Sequence, residues 1–198
     1  MPREKTITKS RTETIAAILI FAIGVPAMIL LHELGHYLAA ISFGHKAHLS
    51  FASVFYVSTE GRIPQSHHFW ITAAGPFANL GSAIVAVFAL RRFTKTTERS
   101  KYQWWLIWII SVFVSAGGRG FVKVFSPEGA DEAYLAVHLG MPEIAGPLIM
   151  AVPSIVFAFF LFRFHWLNSS LGTLLLGWAG GICGMTLWLK VIGRMVMP

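Results

Sequence analysis

The sequence predicts an all-α polytopic membrane protein, with about five transmembrane helices and a small β-hairpin between the first and second. Two observations of composition and one of patterning predict it. Of 198 residues, 55% are hydrophobic and only 13% charged, whereas soluble domains carry about a quarter. Mean hydropathy is +0.63. Uncharged runs also recur at or near the roughly 20 residues that a bilayer-spanning helix needs. These runs are Ile15–Leu31, Phe69–Leu90, Trp104–Gly118, Ile144–Phe162 and Leu167–Leu189, the third being the shortest.

Residues 1–13 are polar and basic and read as a tail. The first helix is expected from about Thr14 to Ile41, with a kink near Pro26, which lacks a backbone donor. It is read as retained rather than cleaved as a signal peptide, because its apolar run is long and continues into a polar cluster. The stretch His48–Val57 is rich in strand formers, and Thr59-Glu-Gly-Arg62 suits a turn, which predicts the hairpin. The second helix contains Ala73-Ala-Gly-Pro-Phe-Ala-Asn-Leu80, and residues 91–101 read as a charged loop. After the third segment, Ser126–Gly140 has a polar start and a short helical pattern. Two further helices close the chain. The last carries Gly177, Gly180, Gly181 and Gly184, a spacing that lets helices approach closely.

A net charge of +7 and a pI near 9.9 would suit a nucleic-acid partner if the basic residues formed one face. They do not. Arg3, Lys5, Lys9 and Arg11 precede the first apolar run, and Arg91, Arg92, Lys95, Arg99 and Lys101 lie between the second and third. Both clusters fall on one side if the first two segments each cross once, which is the pattern of cytoplasmic ends. The expected partner is therefore the lipid bilayer, with the N-terminus cytoplasmic and no nucleic acid bound. Trp70, Trp104, Trp105, Trp166 and Trp188 lie near segment ends, where indoles favour headgroups. The single cysteine, Cys183, excludes an intrachain disulfide and a cysteine-based metal cluster.

The chemistry concentrates at His32-Glu33-Leu34-Gly35-His36. Histidines at i and i+4 lie about 40° apart around a helix and one turn apart along it, so both can reach one metal ion. Glu33, about 100° from His32, can face a water on that metal and take its proton. Ionisable groups in a membrane helix are expensive and usually functional, which separates this cluster from a chance match. A catalytic zinc commonly has three protein ligands. Asp131 is the expected third, because by the crossing count it emerges on the same membrane side as the end of the first helix. Glu128, Glu132 and His138 remain alternatives, and Asp131 also suits a plain helix cap. His67 and His68 are not expected to be ligands, since adjacent residues point in different directions.

With these residues the chain resembles the site-2 protease-like intramembrane zinc metalloproteases. HELGH at 32–36 is similar to that family's zinc helix, and Ala74-Gly-Pro-Phe-Ala-Asn79 to its second signature. Gly129-Ala-Asp131-Glu-Ala-Tyr-Leu135 resembles the segment carrying the third ligand, with Glu132 where a glycine often follows. The likeness is to the compact branch without a PDZ-like insertion and covers about residues 15–140.

The resemblance implies a single membrane-embedded metalloprotease domain over 1–198, with a catalytic core at 14–140 and two additional helices at 141–198. It implies zinc (Zn2+) held by His32, His36 and Asp131, with Glu33 as general base. It also implies that Asn79 contacts substrate or the developing oxyanion, where the residue alone reads equally as a helix-to-helix hydrogen bond. The 48–57 strand could pair with an extended peptide. The expected activity is endopeptidase cleavage in or near transmembrane segments of membrane-anchored substrates. A non-catalytic zinc-binding membrane scaffold or sensor is the alternative, and Glu33 argues against it because a pure binding site needs no base.

Overall fold

The structure is a computed structural model that describes residues 3–58, 61–93, 99–165 and 171–197. It is mostly helical, with one two-stranded antiparallel sheet. The order is α1 (Arg3–Ser42), β1 (Lys46–Leu49), β2 (Val54–Val57), α2 (Gln65–Phe93), α3 (Arg99–Phe125), α4 (Asp131–His138), α5 (Ala145–His165) and α6 (Leu171–Leu187). A π-helical turn at Trp188–Ile192 and a short α7 (Gly193–Val196) continue α6.

Two boundaries differ from the sequence expectation. The helix α1 begins at Arg3 rather than near Thr14; no glycine or proline interrupts Arg3–Ile23, so nothing breaks it. Pro26 sits within it. The loop expected at 91–101 is shorter, because α2 continues through Arg91 and Arg92 to Phe93 and α3 starts at Arg99. Arginine and lysine are good helix formers, so charge ends the apolar run without ending the helix. Residues 94–98 lie outside the described residues.

The hairpin is also placed differently in detail. It folds inside the strand-forming run, pairing Lys46 with Val57 and Leu49 with Val54. The turn spans Ser50–Ser53, where the Ser50 amide donates to the Ser53 carbonyl at 2.9 Å. Of the turn expected at 59–62, Thr59 and Glu60 lie outside the described residues. The hairpin tip is tethered to the far end of the chain, since Trp188 Nε1 donates to the Phe51 carbonyl at 2.8 Å. Trp70 is exposed at the start of α2. The side chains of Trp104 and Trp105, and residue Trp166, fall outside the described part.

Among the described residues, two helical stretches are long and apolar enough to cross a membrane, Ile18–Ser42 and Gln65–Ala89, and Ala145–Phe160 is a shorter apolar helix. Their outward faces carry Ile23, Val85, Phe88 and Val152, all largely exposed. Apolar residues covering a surface this way favour a lipid environment. Inside, Met28, Ala83 and Val112 bring α1, α2 and α3 together, with Leu31 and Phe113 packed on them. Gly180 and Gly184 lay α6 on α1: a Cβ at Gly184 would sit 2.5 Å from the Ala22 Cα, and one at Gly180 would sit 2.6 Å from the Ile18 carbonyl. Only glycine permits backbones this close.

Candidate metal centre

Three ligand atoms from two distant parts of the chain meet beneath the hairpin. His32 Nε2, His36 Nε2 and Asp131 Oδ2 all lie within 4.8 Å of one another. The pairwise distances are 3.0 Å between the imidazoles, 2.8 Å from His32 to Asp131 and 3.3 Å from His36 to Asp131. Four ligands at zinc-like bond lengths of about 2.0–2.1 Å stand about 3.3 Å apart in a tetrahedron. The cluster is slightly contracted from that spacing, and its two nitrogens and one carboxylate oxygen form a donor set that could hold a metal ion.

Helix geometry brings the histidines together, one turn apart on α1. Their burial, 2% exposed for His32 and 7% for His36, comes from packing against α2. His36 Nδ1 donates to the Ile71 carbonyl at 2.7 Å. The proton is thereby fixed on Nδ1, which leaves a lone pair on Nε2, the usual arrangement for a metal-binding histidine. Gly75 makes room for the rings: a Cβ there would overlap His36 Nε2 and lie 2.8 Å from His32 Cε1.

Asp131 is the first residue of α4. The position before it, Ala130, makes no side-chain cap, so Asp131 faces the histidines instead of capping its helix. The position of α4 follows from Gly146 of α5, whose missing side chain admits the Glu132–Ala133 backbone. The other acidic and histidine candidates point elsewhere. Glu128 is exposed, Glu132 pairs with Arg119, and His138 packs against Phe69 and Tyr134.

The cluster borders a cavity of about 650 Å³ lined by Glu33, His36, Tyr56, Thr72, Arg119 and Asp131 among others, with the hairpin residues Ala52, Ser53 and Val54 forming part of its wall. Burial pushes the Tyr56 phenol up, against the lowering effect of its hydrogen bond with Thr72, so it stays a neutral hydroxyl in this cavity. His67 and His68 diverge. His67 pairs with His45 at 3.2 Å and stacks on Phe43, whereas His68 lines the large cavity beside Tyr134.

Asn79 is not on the large cavity. It lines a second one of about 50 Å³, together with His32, Arg119, Glu132 and Ser154. Its Oδ1 is buried without a hydrogen-bond partner, and so is His32 Nδ1. One atom lacks a donor. The other, if Nε2 supplies a lone pair to the cluster, carries a proton that lacks an acceptor.

Arg119 is the residue that sequence reasoning missed. From the last third of α3, its Nη1 reaches His32 Nε2 at 2.7 Å, and its Nη2 lies 3.5 Å from Asp131 Oδ2 and bonds Glu132 Oε1. In the sequence it marks only the end of an apolar run. The available signal was that the helix continues past it, which places a cation inside the bundle.

No protein-family model, curated protein or solved structure matches this chain.

Proposed function

We propose that this protein is a multi-pass intramembrane zinc endopeptidase, with α1, α2, α3, α5 and α6 crossing the bilayer and the N-terminus cytoplasmic. The convergence of His32 Nε2, His36 Nε2 and Asp131 Oδ2 beside Glu33, on a cavity of about 650 Å³, carries the reading. That donor set suits zinc, which would supply Lewis acidity and lower the pKa of a water. The remaining chemistry belongs to the chain. Glu33 accepts the proton of the attacking water as its oxygen bonds to the scissile carbonyl carbon and the carbonyl electron pair moves to oxygen. As the C–N bond breaks, the same carboxyl returns the proton to the departing amine. His36 is held in register by Ile71, and Gly75 keeps space for both rings.

Substrates are membrane proteins or peptides that present a locally unwound segment, because an intact transmembrane helix keeps its peptide bonds in internal hydrogen bonds. The cavity wall formed by Ala52–Val54 and the hydroxyls of Tyr56 and Thr72 offer polar partners for such a segment.

The test pairs metal content with turnover in detergent-purified protein. The wild type is expected to hold about one zinc per chain, as a single such site requires. His36→Ala and Asp131→Ala lose it. Glu33→Gln keeps zinc but cleaves a membrane-helix substrate at least about 100-fold more slowly. A wild type without zinc, or cleavage unaffected by Glu33→Gln, would overturn the proposal.

A further inference from the structure

We infer that Arg119 is a further catalytic residue, an electrophile that holds the oxygen taking up negative charge when the peptide carbonyl is attacked; this rests on the peptidase reading. Two observations lead there. First, guanidinium nitrogens only donate, so Arg119 Nη1 at 2.7 Å from His32 Nε2 is using the lone pair that a metal ion would take. The two cations cannot share it. With the lone pair taken, Nη1 becomes a free donor at the His32–Asp131 edge of the cluster. Second, Arg119 lines both the large cavity of Glu33 and His36 and the small one that His32 borders, so its guanidinium stands between the cluster and the side where substrate enters.

Glu132 holds the arginine there. Its carboxylate is 7% exposed and bonds Nη2, which prevents the side chain from swinging into the cavity when Nη1 is released. The fork lets one nitrogen anchor while the other works, which lysine cannot reproduce. Preorganised donors of this kind act where water is excluded and charge develops.

The test uses the full detergent-purified chain with Arg119→Gln, Arg119→Lys and Glu33→Gln. Three quantities are measured: zinc stoichiometry, cleavage of a membrane-helix peptide, and the dissociation constant of acetohydroxamate for the cobalt-loaded protein, read from the cobalt absorption bands. Arg119→Gln is expected to keep zinc and to cleave about 100- to 1,000-fold more slowly. Acetohydroxamate is expected to bind about tenfold more weakly, the effect of one lost charge-assisted hydrogen bond.

Arg119→Lys retains a cation for Glu132 and loses the fork, so it is expected to keep zinc and to fall at least tenfold in rate; it provides the test if Arg119→Gln does not fold. Either variant cleaving within threefold of wild type with zinc bound overturns the inference. So does loss of zinc from both, which would make Arg119 a structural tie between α3 and α4. If Glu33→Gln cleaves like wild type, the peptidase reading fails by itself. The acetohydroxamate comparison then still decides whether Arg119 holds an anion at the cluster: unchanged affinity in both variants overturns it.

Discussion

Replacing Gly75 with alanine exchanges one hydrogen for a methyl group, yet it should disable the metal centre. A Cβ at this position would lie 2.5 Å from His36 Cε1 and 2.8 Å from His32 Cε1. Ordinary carbon contacts begin near 3.4 Å, so the His36 ring must retreat by about 0.9 Å or α1 and α2 must part. Metal–ligand bond lengths stay within about 0.2 Å of their usual values, so the ring's retreat must be made up by movement elsewhere in the site. The His36 ring is also pinned from the other side by Ile71, so it cannot slide freely.

Overpacking of this kind typically costs about 1–3 kcal/mol, and here most of the strain falls on the two ligands. Zinc affinity is expected to fall about 10- to 100-fold or more, the range for disturbed support of a metal-ligating histidine. Competition against a chromophoric chelator measures it, with thermal unfolding of the metal-free protein as a check on the fold. Gly81→Ala is the matched control. It lies on the same helix with nothing within 4 Å of its added Cβ, so zinc affinity should not change. Gly75→Ala binding zinc within twofold of wild type, in a protein that unfolds normally, would refute the packing argument.

Two further substitutions test the supports around the site. Asn79→Leu replaces the polar group that shares the small cavity with His32 and is expected to weaken zinc binding about tenfold; a drop in cleavage with zinc affinity intact would assign Asn79 to substrate instead. Gly184→Val drives a side chain into the Ala22 backbone and is expected to lower Tm by several degrees, at about 2–4 °C per kcal/mol for a chain of this size. An unchanged melting curve in the same detergent would show that α1 and α6 do not depend on that contact.

What the sequence determined about this protein is local. Uncharged run length located the long helices, because a helix satisfies its own backbone and its apolarity depends only on composition. The i, i+4 spacing put His32 and His36 on one face for the same reason. Strand-forming residues at 48–57 indicated a hairpin, but where it turns depended on Trp188 and Gly193, more than 130 positions away, which dock against Phe51. Asp131 was legible as a candidate only by counting crossings, and Glu128, Glu132 and His138 stayed beside it until α4 was placed against α2 and α5.

Tertiary structure alone decided the rest. Arg119 meets His32 from 87 positions away and Asp131 meets it from 99. No local pattern encodes such a meeting, because it depends on how closely whole helices approach. That approach is set by absent atoms, the missing side chains of Gly75, Gly146 and Gly184. In sequence these read as helix-weakening glycines. Whether each is a defect or a contact surface depends on the neighbour that fills the space, and only the packed bundle supplies that neighbour.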